Sequence, residues 1–358
     1  MGRRCSLGDV IERHFGAFRK SQRTTMAALC EGLLAAGRLG LAAIAAGMGG
    51  KAKTPHKIKR VDRFASNRGV WPGKATLCLV AWFTSVTRQT ATVALDWTDI
   101  GNGRVLLSAA AALGHRAVPL AWTVMGRSQF TRKRKSRNDA EEQMILRLKE
   151  AFAQSPWVLV ADRGFARADL FAKLQAWGIV HVIRACGNPW VQTADWAGRL
   201  WSLPRQPGRT RGYRNVLYHK SLRVPVDLVV THREPAAEPW YLVTNVEEPA
   251  QAVACYRKRN WIEQHFRDAK THMGLDELQV RRAKRIERLV ILMAIVMALA
   301  VLTGLKWVAA HPGQDPQLTT HRRGRSLSLF RLGLRLLRLD GLPMGFLTFR
   351  VTPALEAI

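Results

Sequence analysis

Little in this chain marks a secreted, metal-stapled or membrane-embedded protein. Its five cysteines (Cys5, Cys30, Cys78, Cys186 and Cys255) form no CxxC pair and no Cys/His spacing suited to zinc. That excludes a disulfide framework and a structural zinc site, and a reducing, cytoplasmic setting fits. The N-terminus has no long apolar run ahead of a small-residue cleavage site, so no secretory signal is expected. Leu289 to Leu305 is free of charge for 17 residues, short of the roughly 20 that a membrane span needs. It reads as a buried core helix, and no membrane partner is expected. Acids are scarce as well: 26 Asp and Glu stand against 56 Lys and Arg, a formal charge of +30 and a pI near 11.2.

That imbalance points to a polyanionic partner, and to nucleic acid rather than a lipid surface because the excess is spread along the chain. Residues 1–60 hold 12 Lys/Arg against 3 Asp/Glu, and "RRAKRIER" (281–288) and "HRRGRSLSLFRLGLRLLR" (321–338) repeat the bias. Apolar residues make up 47% of the 358, ample for a real core. Charge of this kind predicts binding; it says nothing of chemistry.

Residues 1–72 read as helical and basic. "TTMAALCEGLLAAG" offers Thr24 or Thr25 as an N-cap and Gly37 as a stop; "LGLAAIAAGM" and "TPHKIKRVDRFASN" give two further helices. The tight Gly-Arg join suits either a helix-turn-helix DNA-binding module or an ordinary helical bundle. From about residue 75 the pattern changes. Runs at 91–96, 103–110 and 115–125 are β-prone and broken by glycine turns, which predicts a three-stranded meander. A basic loop, "RKRKSR" (132–137), follows, read as a solvated loop or a DNA contact. Next come a helix from Asn138 or Asp139, a strand at 157–162, a helix closed by Gly178 and a strand at 179–185. In that α/β order the fourth strand can pair in parallel beside the first. Residues 187–248, with Trp190, Trp196, Trp201 and Trp240, read as an inserted β subdomain. The domain reading is 1–72 (helical, DNA-binding), 73–186 (first part of the catalytic core), 187–248 (β insertion), 249–310 (second part of the core) and 311–358 (basic C-terminal segment).

Two aspartates hold equivalent places: Asp96 closes the first strand in "VALDWTD" and Asp162 the fourth in "VLVADRGF". Strand ends opening into loops are where an α/β sheet presents functional groups. If the two strands are neighbours the carboxylates face each other, and like charges tolerate that only with cations in the gap. Mg²⁺, with Mn²⁺ as substitute, suits a site of carboxylate oxygens. Either aspartate alone could equally be a turn or cap residue. The third acid comes from "YRKRNWIEQHFRDAK" (256–270), read as one helix. Spacings of 3, 4 and 7 would bring Tyr256, Arg259, Glu263 and Lys270, with Arg267, onto one face, beside an apolar stripe of Ile262, Phe266 and Ala269. Asp96, Asp162 and Glu263 are the predicted catalytic and metal-holding residues, and Tyr256, Arg259, Arg267 and Lys270 the predicted DNA-binding ones. Asp99 and Asp268 are taken as structural or supporting acids, and His181 and His265 as core or surface residues.

These residues carry a resemblance to the DDE transposases of bacterial insertion sequences, of the insertion-sequence family four type. That family's Tyr-x2-Arg-x3-Glu-x6-Lys signature is matched at Tyr256, Arg259, Glu263 and Lys270, while "LDWTD" and "DRGF" resemble its first two acid motifs. The resemblance implies a ribonuclease-H-like α/β fold with a mixed sheet and flanking helices, for whose β insertion the 101 positions from Asp162 to Glu263 leave room. It also implies an N-terminal end-binding domain and Mg²⁺-dependent cutting and strand transfer at inverted repeats by a homodimer acting on double-stranded DNA. One insertion tryptophan would stack an extruded base, with four candidates here. Three alternatives stay open: a nuclease that never joins strands, a non-catalytic DNA binder derived from a transposase, and a recombinase using Tyr256 as nucleophile.

Overall fold

The computed structural model describes residues 5–130, 137–204, 208–232, 238–312, 327–352 and 355. Of the basic loop 132–137 only Arg137 is included, and the HRRGRS stretch at 321–326 lies outside the described residues. The chain is mixed α/β and divides into two compact units: Met1–Gln89 with Trp97–Ser155 and Trp261–Ile358, and Thr90–Asp96 with Pro156–Asn260.

The first unit is mainly helical. Helices α1 (Leu7–His14), α2 (Lys20–Ala36), α3 (Leu41–Gly47), α4 (Thr54–Ser66) and α5 (Pro72–Thr87) open it. The start expected at Thr24 or Thr25 moves to Lys20, because the N–H of Arg19 finds the Gln22 side chain at 3.0 Å. Both threonine hydroxyls instead donate back to carbonyls one turn earlier. Gly37 ends α2 with φ +65°, as its position predicted. The axes of α2 and α3 turn through 93° across the short link that follows, the angle and link length of a helix-turn-helix pair. They cross almost backbone to backbone: a Cβ on Gly47 would stand 2.2 Å from the Gly32 carbonyl oxygen. Two of these five helices escaped the sequence reading, α1, capped by Ser6 and Asp9, and α5, which starts on Pro72.

Strands β2 (Arg104–Leu113) and β3 (Arg116–Gly126) form an antiparallel hairpin. Gly114 and His115 both have positive φ at its tip, the backbone of a two-residue primed turn. Helix α6 (Arg137–Phe152) follows, one residue ahead of the expected cap. The charge-free run is the middle of α10 (Ala283–Ala310), the one helix among the described residues long and apolar enough to cross a membrane, and 94% of its most apolar window is buried in the protein. A core helix was the sequence expectation. Its N-terminal end is pinned by polar groups: buried Glu287 accepts from the Val124 N–H at 3.0 Å and the Thr123 hydroxyl at 3.1 Å, and its carbonyl accepts from Trp122 Nε1 at 2.8 Å. Near its other end α10 is crossed by α11 (Leu329–Leu339). A Cβ on Gly333 would lie 1.7 Å from the Ala300 carbonyl oxygen, and one on Gly304 2.2 Å from that of Leu329.

The second unit is built on a sheet. Strands β1 (Ala91–Asp99, whose first six residues belong here), β4 (Trp157–Ala161) and β5 (His181–Ala185) pair in parallel, so the predicted β1–β4 neighbourhood is present. β10 (Trp240–Thr244) then joins β5 antiparallel, followed by β9 (Val224–Thr231), β8 (Thr210–Tyr218), β6 (Trp190–Gln192) and β7 (Ala197–Arg199). Residues 187–248 therefore extend the sheet from β5 rather than stand apart from it. Helices α7 (Ala168–Ala176) and α8 (Pro249–Lys258) complete the unit.

Gly333→Val forces a branched side chain into a backbone contact and is expected to cost about 2–3 kcal/mol or more in chemical denaturation. Gly16→Ala, where an added Cβ meets nothing within 4 Å, should leave stability nearly unchanged.

Candidate active site

The register of the parallel pair fixes the site. Leu95 of β1 lies opposite Ala161 of β4, and the residue that follows each in the chain is an aspartate, Asp96 and Asp162. The sequence reading placed Asp96 at a strand end. It lies inside β1, which continues through Trp97 and Thr98 to Asp99, residues whose β-branched and aromatic side chains favour extension. Asp162 does follow its strand directly. It caps the 3₁₀ turn Arg163–Phe165, its Oδ1 accepting from the Gly164 N–H at 2.9 Å.

Arg259 fills the space between the two acids. Its Nη2 donates to Asp96 Oδ2 at 2.7 Å and stands 3.6 Å from Asp162 Oδ2. One guanidinium nitrogen thus serves both carboxylates. The cluster is semi-buried, with side-chain exposures of 16% for Asp96, 17% for Arg259 and 33% for Asp162. Tyr256, one turn earlier on α8, is buried against Trp240 with ring centroids 5.0 Å apart, edge to face. Burial raises its phenol above the ordinary value, opposed by the charges of Arg259 and Arg184.

The single helix expected over 256–270 is two. α8 ends at Lys258 and α9 (Trp261–Met273) begins three residues later, with Arg259 and Asn260 in the break. There the N–H of Arg259 bonds the Tyr256 carbonyl at 3.0 Å and that of Asn260 the Arg257 carbonyl at 3.4 Å, three-residue closures that tighten and end the helix. Continuous 3.6-residue periodicity therefore does not connect Tyr256 and Arg259 with Glu263 and Lys270. Within α9 the pattern holds: Ile262, Phe266 and Ala269 are buried, while Glu263 and Arg267 are exposed and Lys270 half-buried.

Among the described residues, no group of three or more His, Cys, Asp or Glu side chains is arranged to hold a metal ion. Asp96 and Asp162 converge around Arg259 in the second unit, and Glu263 is borne by α9 of the first. The supporting acids have structural tasks. Asp99 accepts from the Gly101 N–H at 2.7 Å and pairs with Arg127. Asp268 is buried near Arg116, whose Nε is 3.5 Å away; burial lifts its carboxyl to about 6 despite that cation. His181 and His265 are core residues, pushed by burial down to about 4. Of the four tryptophans, Trp201 is 58% exposed, Trp240 is spent on Tyr256, and Trp190 and Trp196 are half-buried.

One cluster had no sequence signal. Trp97, next in the chain after Asp96, donates its Nε1 to the buried carboxylate of Glu141 at 2.8 Å, packs edge to face on Phe130, and lies under the guanidinium of Arg137. These partners are separated by tens of residues, so no local spacing reveals them.

Paired carboxylates at the ends of matching registers of neighbouring parallel strands, bridged by one arginine, are the candidate site of this α/β chain. Residues 92–299, more than half of the chain, match the family model described as the transposase DDE domain, and the chain belongs to that family. A search of curated proteins finds no match. Among solved structures, the "Cryo-EM structure of piggyBac transposase synaptic complex with hairpin DNA (SNHP)" is similar at 12% identity and a TM-score of 0.41, over 72% of this chain and 53% of that one. The chain thus spans about half the length of that relative.

Two outcomes are expected. Arg259→Ala leaves two carboxylates facing each other without their cation and should lower unfolding free energy by about 1–3 kcal/mol. The same change should cost little once Asp96 and Asp162 are both asparagine, a cycle read by denaturant titration. Asp268 sets a pH dependence. Its folded pKa lies above the unfolded value, so its contribution to stability is full below about pH 4 and is lost as pH rises through about 6. Relative to Asp268→Asn, the wild-type chain should lose on the order of 1–3 kcal/mol between those limits.

Proposed function

We propose that the chain is a DNA transposase of the insertion-sequence family four type, cutting at the inverted-repeat ends of a mobile element and joining the freed ends to target DNA. The observation that carries this reading is the pair Asp96 and Asp162, held on neighbouring parallel strands around one cation. The family works with divalent metal ions, and the donor set here fits: hard carboxylate oxygens, partly open to solvent, at a place that already accepts positive charge. Asp96, Asp162 and Glu263 would hold Mg²⁺, or Mn²⁺ in its place. The ions would supply electrostatic stabilisation of the attacking and leaving oxygens.

The chain's own residues do the rest. Arg259 neutralises the aspartates before DNA arrives and is placed to pass to a phosphate oxygen when other positive charge takes over. Arg267 and Lys270, on the outer side of α9, grip phosphates flanking the scissile bond, and Tyr256 supports Arg259 from behind. Hydrolysis of one phosphodiester leaves a 3′ hydroxyl. That hydroxyl then attacks a target phosphodiester, forming one P–O bond as another breaks, with no net change in bond count. Residues 1–72 serve as the end-binding module. Within them α3, "LAAIAAG", offers no side chain able to hydrogen-bond a base, so α4 with Lys59, Arg60 and Arg63 is the DNA-facing element. Pairing of two element ends requires a second copy, making the working form a homodimer on cytoplasmic, nucleoid DNA.

The test is strand transfer with pre-cleaved terminal repeats and a supercoiled target in Mg²⁺. Joining is expected with the wild-type chain and none with Asp162→Asn or Glu263→Gln, while Mn²⁺ titration followed by electron paramagnetic resonance should show binding weakened in Asp96→Asn/Asp162→Asn. Cleavage without joining would reassign the chain to a nuclease. Activity surviving EDTA would revive Tyr256 as a nucleophile.

A further inference from the structure

The cluster around Trp97 runs in layers from the core to the surface, all of it within the first unit. Glu141 is 3% exposed and its Oε1 accepts from the Trp97 indole at 2.8 Å. Trp97 and Phe130 are half-buried and meet edge to face, ring centroids 5.7 Å apart at 90°. Over both rings stands the exposed guanidinium of Arg137, its Cζ 5.4 Å from the Trp97 centroid and 4.9 Å from that of Phe130. A buried acid therefore orients an indole, and the indole with a phenyl ring orients a cation. The layers also reinforce each other: a carboxylate on the indole N–H pushes electron density into the ring, and a richer ring attracts a cation more strongly.

Helix stability does not explain this choice of residues. Arg137 is the first residue of α6, where the dipole favours acids and disfavours cations, and α6 has its acid there in Asp139. Taking the Glu141 carboxylate out of water is a further cost. What the arrangement provides is a guanidinium of fixed plane. Stacking engages the face of that plane and leaves its N–H donors directed along the edge. With the cation lying over both rings, the platform presents outward a donor edge rather than an aromatic face. Such an edge matches two oxygens of a phosphate better than a nucleobase. Although Trp97 follows Asp96 in the chain, successive side chains of a strand point to opposite faces, so the platform is distinct from the carboxylate pair.

We propose that Arg137 is a DNA-backbone contact, its fork engaging one phosphate, with Trp97, Phe130 and Glu141 as the residues that position it. This rests on the reading of the chain as a DNA enzyme, and it assigns a role to the last residue of the basic loop "RKRKSR".

The test uses the full chain and a labelled duplex of about 30 base pairs, with affinity read by fluorescence anisotropy from about 50 to 300 mM salt. Arg137→Gln should flatten the slope of log affinity against log salt by about 0.9 and weaken binding about threefold to tenfold near 0.1 M salt. Arg137→Lys keeps the charge and should keep most of the slope, while losing part of the affinity with the flat fork. Trp97→Leu changes no charge, yet in its background Arg137→Gln should cost less than about twofold, because the cation has lost its platform. Phe130→Leu, at a half-buried position, should reduce that cost in the same direction and serves if Trp97→Leu does not fold. Lys149→Gln removes an exposed cation near the other end of α6 and should change the slope far less. An equal loss from Lys149→Gln, or full additivity of Arg137→Gln with both ring variants, would overturn the site. If wild type binds and joins DNA while Arg137→Gln leaves affinity and slope untouched, the site falls and the transposase reading stands. Failure of wild type to bind duplex DNA at all would remove both.

Discussion

Two carboxylates at adjoining positions of neighbouring parallel strands are an electrostatic liability, and the candidate site is organised around relieving it. At an effective dielectric near 20, unit charges about 5 Å apart repel by roughly 3 kcal/mol. The chain meets this with Arg259, whose Nη2 reaches both acids. Arg259 stands at the C-terminus of α8, where the helix dipole also favours a cation.

Within the helical unit, packing is set by the smallest of residues. Where α10 meets α11 and α2 meets α3, glycines allow backbones to touch, so the helical unit closes tightly despite its charge. The excess cations are then carried on outer faces, with few acids to balance them. The arginines of α11 and the basic residues of α4 are products of the same division: apolar atoms inward at close range, Lys and Arg outward.

The parallel pairing of β1 with β4, the hairpin β2–β3, the buried α10 and the aspartate pair were legible in the sequence. Each rests on a local signal: alternation of apolar residues, a glycine turn, a charge-free run, or an acid after a strand. The break at Arg259–Asn260 was not legible, because polar and charged residues continue across it and no proline marks it. Nor was the extension of the sheet by β10, β9, β8, β6 and β7, since short β runs do not disclose which edge they join. Trp97 and Glu141 illustrate the wider limit, a 2.8 Å hydrogen bond spanning 44 positions with no periodicity to announce it.

The helix break also changes what a Tyr-Arg-Glu-Lys pattern means physically. Read as one helix, the four residues owe their common direction to turns of 100°, and any insertion between Arg259 and Glu263 would scatter them. With the chain broken at Asn260, the pattern separates into two local spacings, Tyr256 to Arg259 near the end of α8 and Glu263 to Arg267 and Lys270 along α9. The first puts a cation on the aspartates one turn after a tyrosine packed on Trp240; the second lines an acid and two cations along one side of α9. Each half has its own structural reason for its spacing, and the three-residue interval between Arg259 and Glu263 is the length of a link, not a helical phase.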